Sequence, residues 1–286
     1  MKLSIIGAGR VGQTLGRRAR ETGFEIIDVV CRTKASANRA VKFIGAGRAQ
    51  AAAKARLSPT DLILIATPDD KIADAVAMIQ TSPINKAIAL HTSGASSSAI
   101  LEPLKEKNIL VGSCHPLQSF ASPAQGLPLI SQTYFCIEGE AAAVGAARRL
   151  VRAIGARYFE IKPEMKSLYH AAAVMSSGGV TALLAVAIDM LIRCGLPEKE
   201  ARKILLPLVE GTLKNLQTVD AAQALTGPIR RGDMGTVERN LQALKAVDES
   251  AMEIYRLLAK RSLQLARQAG SDKKLLRRVQ QVLDAS

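Results

Sequence analysis

Three closely spaced glycines near the N-terminus form the pattern GAGRVG, residues 7–12. The pattern follows a β-like run and opens a helical stretch, a setting in which backbone amides can cradle a phosphate. The first glycine permits a tight turn, the second lets the backbone approach a pyrophosphate, and the third lets the helix pack close to the sheet. The alternative is an ordinary glycine turn. We expect this segment to bind a dinucleotide cofactor through Gly7, Gly9, Arg10, Val11 and Gly12.

A cation stands where dinucleotide-binding folds usually carry an acid. Arg32, Thr33 and Lys34 follow an apolar run, about 20 residues past the glycines. An acid here would accept a hydrogen bond from a ribose hydroxyl. An Arg guanidinium, together with a hydroxyl and a nearby Lys, instead suits a 2′-phosphate. The segment therefore predicts NADP rather than NAD. The alternative is that Arg32 only ends a strand in solvent.

Two later strand ends supply loops at the same predicted edge. Ala66, Thr67 and Pro68 follow one β-like run, and Ser93 follows the next. Ligands of open α/β sheets bind at the carboxyl ends of the strands. We expect the first three residues to contact the cofactor and Ser93 to orient the nicotinamide or the substrate. His91 lies inside its strand and is interpreted as a core histidine.

Two histidines and a lysine are the candidates for proton exchange. His115 lies just past a strand end, where an ordinary pKa of about 6.5 suits a donor or a base. Lys166 and His170 are four residues apart at the start of a helix, so they share a face and would lower each other's pKa. The alternative for His115 is that it only hydrogen-bonds backbone groups and so stabilises its loop. The alternative for the pair is that Lys166 lies in solvent and His170 is partly buried. Which of them exchanges the proton stays open.

Cysteine and histidine spacing argues against metal and disulfide sites. The three histidines are spread over a strand, a loop and a helix, and the four cysteines include no Cys-x-x-Cys pair. We expect no metal, and reduced, buried thiols. The N-terminus also lacks the pattern of a secretory signal. These features predict a cytoplasmic protein.

The formal net charge of +14 raises nucleic acid as a partner. The basic residues concentrate in residues 29–60 and 256–278, without interleaved aromatic side chains that would stack on bases. We therefore expect solvated helix faces and a phosphate pocket, and no nucleic acid.

One apolar segment, residues 168–188, is long enough to be tested as a membrane span. It is rich in Ala, Ser and Gly rather than Leu and Phe, and it runs into Asp189 and Arg193 without a break. A helix that is apolar on all sides is more simply the central helix of a helical domain shared with a second subunit. We expect no membrane contact and a homodimer formed through this domain.

The elements that must position these residues change character along the chain. Short β-like runs alternate with helical stretches up to residue 162, which predicts a parallel sheet with crossover helices. From Pro163 onward only helical patterns occur. The prediction is an α/β Rossmann-type domain over 1–162 and an all-α domain over 163–286. The predicted strands are 2–7, 25–31, 61–67, 87–92, 109–114, 133–139 and 156–161, and the helices between them begin near Arg10, Lys34, Asp69, Ser97 and Glu140.

The letters IGAGR occur again at 44–48, but here they follow a helical stretch and lead to no third glycine. We interpret this second copy as a helix stop and a turn.

Six motifs in order carry a resemblance: GAGRVG, IATPDD, LHTSGA, CHPLQSF, YHAAAVMSS and LTGPIRRGD. The chain resembles bacterial Rossmann-like proteins with a C-terminal helical domain of unknown function, the 2520 type. More distantly, it is similar to the 6-phosphogluconate dehydrogenase-like superfamily, which includes pyrroline-5-carboxylate reductases, ketopantoate reductases and prephenate dehydrogenases. The resemblance implies an NADP-binding domain followed by a helical domain that usually forms a dimer.

The resemblance also implies roles for single residues. The letters HPL are similar to the HPM of prephenate dehydrogenases, whose histidine is catalytic, and this maps onto His115. KSLYH lies where hydroxyacid dehydrogenases of the superfamily carry Lys-x-x-x-Asn, so Lys166 maps to the lysine and His170 to the asparagine. Close relatives tend to have Ser-Asn at Ser177-Gly178, so an amide contact to substrate is lost there.

These observations predict an NADP(H)-dependent oxidoreductase. It would transfer hydride to or from a small carbonyl, imine or cyclic acid bound between the domains. The alternative is a non-catalytic redox sensor or scaffold that binds NADP.

Overall fold

The computed structural model describes residues 1–245 and 248–285. Internal contacts divide them into a first unit, Met1–Gly179, and a second unit that begins at Val180. The first unit therefore continues past the domain boundary predicted at 162/163. It includes the helix that carries Lys166 and His170.

The first unit is built on one eight-stranded sheet with strand order β3-β2-β1-β4-β5-β6-β7-β8. All neighbouring strands are parallel except β6 and β7, which are antiparallel. The strand order reverses beside β1, which creates the switch point where such sheets bind ligands. The strands are β1 Lys2–Ile6, β2 Glu25–Cys31, β3 Arg48–Ala51, β4 Leu62–Ile65, β5 Ile88–His91, β6 Leu110–Pro116, β7 Tyr134–Gly139 and β8 Arg157–Glu160.

Helices cover both faces of the sheet and form the second unit. In the first unit they are α1 Arg10–Glu21, α2 Lys34–Ile44, α3 Ile72–Thr81, α4 Pro123–Gly126, α5 Ala141–Ala153 and α6 Lys166–Val174. Short 3-10 helices occupy Ala52–Lys54, Asp69–Lys71, Ser98–Lys107, Leu127–Gln132 and Pro163–Met165, and one π-helical turn occupies Met175–Gly179. In the second unit they are α7 Val180–Arg193, α8 Glu198–Thr218, α9 Ala221–Ala224, α10 Pro228–Arg231, α11 Met234–Lys245, α12 Glu249–Gln268 and α13 Lys273–Ala285.

Alternation along the strands explains the two cores of the first unit. Leu3 and Ile5 of β1 pack on one face with side chains of α1, α2 and α5, whereas Ile6 packs on the opposite face with those of α3. Successive side chains of a strand point to opposite faces, so a strand covered by helices on both sides must be apolar throughout. Burial of each such side chain contributes about 1.5–3 kcal/mol. The predicted fold class is confirmed for the first unit.

One strand was not predicted. The helix stop at 44–48 does exist, because α2 ends at Ile44 and Gly45 takes a left-handed φ of +85°. The chain then forms β3 instead of a turn alone. Asp28 of β2 is fully buried and accepts hydrogen bonds of 2.8 Å from Arg48 Nε and from Gln50 Nε2 of β3. This pairing depends on a buried carboxylate distant in sequence, which the local letters AQAAAK do not reveal.

The second unit is helical over its described residues, which confirms the all-α prediction there. Its core joins α10, α11, α12 and α13 through buried aliphatic side chains such as Val237, Leu263 and Val279. By contrast, α7 has no buried residue and α8 has one, Ala201. Large apolar side chains are therefore exposed on this pair of helices, among them Leu208 with 68% of its surface accessible.

The helix over Pro163–Arg193 is 31 residues long with a mean hydropathy of 1.9 in its most apolar window. By length and composition alone it could cross a membrane. Composition is weak evidence here, since apolar helices of soluble proteins pass the same test.

The expected burial of all four thiols is wrong at one position. Cys31, Cys114 and Cys136 are buried, but Cys194 is exposed at the end of α7. The four thiols are free. Cys194 follows the last residue of an unburied helix, so nothing in the second unit covers it over the described residues.

Candidate functional site

Five of the predicted residues lie at one edge of the sheet. Gly7 follows β1, Arg32 follows β2, Ala66 follows β4 and Ser93 comes shortly after β5, while His115 lies near the end of β6. These strands are mutually parallel, so their carboxyl ends share an edge although the residues span more than 100 positions. The edge therefore collects the predicted cofactor residues and one candidate for proton exchange.

The three glycines of the first turn have different surroundings. Gly7 has a φ of +86°, and a Cβ there would lie 2.5 Å from the backbone N of Thr67. A Cβ on Gly12 would lie 2.7 Å from the carbonyl oxygen of Gly7. At Gly9 nothing lies within 4 Å of the Cβ position. The fold itself thus requires Gly7 and Gly12, whereas Gly9 borders open space that a ligand could approach.

The N-terminus of α1 is suited to an anion. Gly9 is its N-cap residue, so no side chain caps the helix, and its first turn contains no acid. Helix N-termini carry orphan N–H groups and partial positive charge. Nearby, the Thr67 hydroxyl is buried without a hydrogen-bond partner among the described residues. The pyrophosphate of a dinucleotide would fit here. Gly9 leaves space for it, and the amides of the helix N-terminus and the Thr67 hydroxyl can donate hydrogen bonds to it.

The loop after β2 carries a small polar cluster. Arg32 is exposed. Thr33 caps α2, because its hydroxyl oxygen accepts from Ser36 N at 3.2 Å and its O–H donates to Ser36 Oγ at 2.9 Å. Arg39, one turn further along α2, donates to the same Ser36 oxygen at 3.1 Å. Two guanidinium-bearing residues and two hydroxyls thus occupy the start of one helix, a group that suits a phosphate monoester.

Two other predicted residues already make local contacts. Lys34 Nζ donates to the carbonyl oxygen of Ala49 in β3 at 2.5 Å. Ser93 is buried, and its hydroxyl oxygen accepts from Ala95 N at 3.2 Å and Ser96 N at 3.0 Å. These contacts shape the loops after β2 and β5. The Ser93 hydroxyl proton remains available for a further partner.

The His115 ring is the centre of a compact aromatic group. Its Nδ1 is hydrogen-bonded to the Tyr169 hydroxyl at 2.7 Å. The His170 ring stands edge-on with its centroid 6.3 Å away. On the other side, a Cβ on Gly94 would lie 2.8 Å from His115 Nε2 and 2.6 Å from His170 Cδ2. Burial lowers the pKa of His115 to about 4, and electrostatic interactions with Lys166 and then with His170 act in the same direction.

Lys166 points into the protein. Only 1% of its surface is accessible, and its Nζ donates to Ser113 Oγ at 2.6 Å and lies 3.8 Å from Glu138 Oε1. Glu138 is itself buried and accepts from the backbone N and the hydroxyl of Ser98, at 2.9 and 2.7 Å. Burial lowers the pKa of Lys166 although Cys136 and Glu138 act in the opposite direction. The Lys166 Nζ is therefore held inside the protein between Ser113 and Glu138, whereas His170 lines the pocket.

A pocket of about 750 Å³ opens beside His115. Its polar lining consists of imidazole, hydroxyl and amide groups, from His115, His170, Tyr169, Gln118 and several serines. Its apolar lining includes Pro116, Phe159 and three small or β-branched residues at 172–174. The π-helical turn forms one wall through Ser176, Ser177 and Gly178. A small, uncharged organic molecule would find both hydrogen-bonding groups and apolar contacts here.

Sequence reasoning missed three residues of this region. Arg39 could have been found as the residue one helical turn after Ser36. Tyr169 adjoins His170 in the motif YHAAAVMSS, but no spacing rule joins it to His115. Glu138 follows three apolar residues near the end of β7, and only the structure reveals that it is buried 3.8 Å from Lys166 Nζ.

Two family models match the chain. A Rossmann-like domain matches residues 1–116, and a domain of unknown function (DUF2520) matches residues 133–262. The resemblance inferred from the motifs is therefore confirmed. Among proteins with curated functions, none matches the sequence.

Solved structures share the fold over almost the whole chain. A protein from Thermotoga maritima is 25% identical with a TM-score of 0.75, over 93% of this chain and 98% of that one. A proposed NADP oxidoreductase from Bacteroides fragilis is 23% identical with a TM-score of 0.72, over 91% and 97%. A reductive aminase from Aspergillus terreus, solved with NADPH and ethyl-5-oxohexanoate, is 17% identical with a TM-score of 0.64, over 96% and 97%. These likenesses show that the chain shares the fold of these proteins over almost its whole length.

Proposed function

The chain is built from a Rossmann-like domain and a DUF2520 domain, and from this premise we propose that it is an NADP(H)-dependent oxidoreductase. The observation that supports this most is the uncapped glycine turn at one edge of the sheet, with a histidine-lined pocket near the same edge. NADP, when bound, supplies or accepts the hydride. The chain's own residues must hold the cofactor, orient the substrate and exchange one proton.

Cofactor selection in this proposal depends on the start of α2. Arg32 is exposed beside the Thr33–Ser36–Arg39 hydrogen bonds. A guanidinium that reaches a phosphate in a charge-assisted hydrogen bond contributes about 1.5–3 kcal/mol, which corresponds to roughly 10- to 100-fold in affinity. The expected preference of NADPH over NADH is of this size.

The pocket favours a neutral substrate within this proposal. Its polar groups are imidazole, hydroxyl and amide groups, which hydrogen-bond a carbonyl oxygen or an imine nitrogen. A small carbonyl or imine compound is therefore our first candidate, ahead of the cyclic acids considered from the sequence. A keto ester and the keto acid formed by its hydrolysis make a matched pair, and we expect turnover of the ester to exceed that of the acid.

The exposed apolar helices support a homodimer in this proposal. Leu208 on α8 is 68% accessible and Leu183 on α7 is 43% accessible. Exposed large apolar side chains on neighbouring helices are typical of an interaction site. The three buried free thiols also suit a reducing compartment such as the cytoplasm.

The test of cofactor choice is calorimetric titration of NADPH and NADH into the protein, Arg32→Ala and Lys42→Ala. Lys42 is exposed in the last turn of the same helix, so its variant controls for loss of charge alone. We expect tighter binding of NADPH, and loss of that preference only in Arg32→Ala. Equal affinities in the unchanged protein would overturn the NADP assignment. Binding without turnover across a panel of carbonyls, imines and cyclic acids would favour a redox sensor instead.

A further inference from the structure

The two ring nitrogens of His115 have different neighbours. Nδ1 meets the Tyr169 hydroxyl at 2.7 Å, while Nε2 faces the backbone of Gly94 and the edge of His170. Both His115 and Tyr169 line the pocket. A histidine whose first nitrogen is bound by the protein can exchange a proton only through the second.

The Tyr169 ring is held from three sides. The Phe159 ring packs edge-on with its centroid 5.7 Å away, and the Lys166 ammonium lies 5.8 Å from the centroid of the Tyr169 ring. Its hydroxyl also interacts with the sulfur of Cys136, the residue of β7 opposite His115. The sulfur can accept the proton of this hydroxyl, and in that arrangement the Tyr169 oxygen accepts from His115 Nδ1–H. Burial raises the pKa of Tyr169, so the phenol remains neutral at physiological pH.

We propose that Tyr169 is the positioning residue of the site, which fixes His115 as the Nδ1–H tautomer so that Nε2 exchanges the proton with the substrate. This inference rests on the proposed function. In the oxidative direction, Nε2 would take the proton of the substrate hydroxyl or amino group, and the hydride of the adjoining carbon would pass to NADP when NADP is bound. The resulting imidazolium donates its Nδ1–H to the Tyr169 oxygen. In the reductive direction the same proton returns to the substrate.

The charges around His115 suit this role. Lys166 and His170 of α6 both act on the ring, His91 of β5 interacts with it electrostatically, and Cys136 lies opposite it on β7. Lys166 is buried with its Nζ held by Ser113 Oγ at 2.6 Å, and its interaction with His115 disfavours a positive charge on the ring. A neutral ring with one bare nitrogen is the state that can accept a proton.

The direct test uses nitrogen NMR of the imidazole groups, which requires no substrate. The chain has three histidines, so ¹⁵N-histidine labelling gives three ring systems, which His91→Asn and His170→Gln variants assign. We expect His115 to show a protonated Nδ1 and a bare Nε2 between pH 6 and 8. In Tyr169→Phe we expect averaged tautomer signals. Tyr134→Phe is the matched control, because it removes the same hydroxyl from an exposed tyrosine of the same unit that bonds Arg157.

Kinetics supply the second test. With a carbonyl substrate found by screening NADPH oxidation, we expect Tyr169→Phe to lower kcat at least about tenfold, with little change in KM and a shifted pH profile, since general acid–base catalysis is worth about 10²–10⁴ in rate. Tyr134→Phe should match the unchanged protein. A purely structural role would lower thermal stability without moving the pH profile.

The outcomes separate this inference from the proposed function. If Tyr169→Phe leaves the His115 tautomer unchanged, the positioning role is wrong even when turnover is found. If the tautomer changes as expected but no substrate is turned over, Tyr169 does orient His115 and the oxidoreductase proposal fails. An Nε2–H tautomer in the unchanged protein would overturn the direction of proton exchange stated above.

Discussion

Acid should weaken this fold in part through one fully buried histidine, His91. His91 lies in β5 with none of its surface accessible, and its Nδ1 accepts from Ser93 N at 3.2 Å. Burial lowers the pKa of His91 to about 3, and the Lys166 cation contributes further. In the unfolded chain the pKa of a histidine is about 6.5. Protonation below pH 6.5 therefore favours the unfolded state, and stability present above pH 6.5 is lost as the pH falls towards 3.

The size of the effect follows from the two pKa values. At pH 5 the unfolded histidine is about 1.5 units below its pKa, while the folded one remains neutral. Each unit is worth about 1.4 kcal/mol, so His91 costs about 2 kcal/mol of unfolding free energy between pH 7 and pH 5. That is a large part of the 5–15 kcal/mol typical of a domain.

Urea unfolding followed by far-UV circular dichroism, at fixed protein concentration, measures this cost. The comparison is His91→Asn, because an asparagine oxygen can still accept from Ser93 N but does not titrate. The contributions of His115 and of the carboxylates are common to both proteins and cancel in their difference. We expect the stability advantage of the unchanged protein over His91→Asn to shrink by about 2 kcal/mol from pH 7 to pH 5. A difference that is constant across this range would refute the reasoning.

Four further predictions concern the glycine turn, the pocket and the helical surface. Gly9→Ala should fold normally and lose NADPH affinity at least tenfold in calorimetric titration, since its Cβ enters open space. Gly7→Ala should instead lower the melting temperature, because its positive φ and the 2.5 Å approach to Thr67 N leave no room for a methyl group. Gly94→Ala should displace the rings of His115 and His170 and reduce kcat at least tenfold, with unchanged NADPH binding. Leu208→Glu should convert a dimer into monomers in light scattering. Lys203→Glu is the control, because it introduces the same side chain at an exposed polar residue of the same helix, and it should leave the dimer intact.

Each of these has a contrary result. Equal NADPH affinity in Gly9→Ala would mean that no ligand approaches that turn. A Gly7→Ala protein as stable as the original would contradict the packing at Thr67. Unchanged turnover in Gly94→Ala would show that His115 and His170 take no part in the reaction. A monomeric unchanged protein, or one that requires detergent to stay dispersed, would contradict the dimer.

Local patterns were sufficient for most of the fold. The seven predicted strands and the five predicted helix starts of the first unit agree with the structure. These elements are specified by apolar runs and turn residues within the same short stretch of chain, so the sequence pattern is sufficient to predict them. The strand at Arg48–Ala51 escaped prediction, since it is held by Asp28, whose role depends on burial. The antiparallel direction of β7 also has no local signal, since it depends on how the chain crosses the sheet.

The site was harder to predict for the same reason. Spacing placed Lys166 and His170 on one helical face, but it could not show that Lys166 turns inward to Ser113 and Glu138. The partner of His115, Tyr169, is 54 residues away and is recognised only when the helix and the strand meet. Helical spacing reports which side chains neighbour each other on one element, not which element lies opposite.

The strand order separates two tasks along the chain. Outside the glycine turn, the nearest neighbours of Gly7 and Gly12 are Ala66 and Thr67, whereas the pocket is lined by residues 115–119, by Phe159 and by residues between Tyr169 and Gly178. Under the proposed function, different segments of the chain would bind the coenzyme and select the substrate. Substitutions confined to the pocket-lining residues of 115–119 and of 169–178 should then change which substrate is accepted while NADPH affinity stays constant.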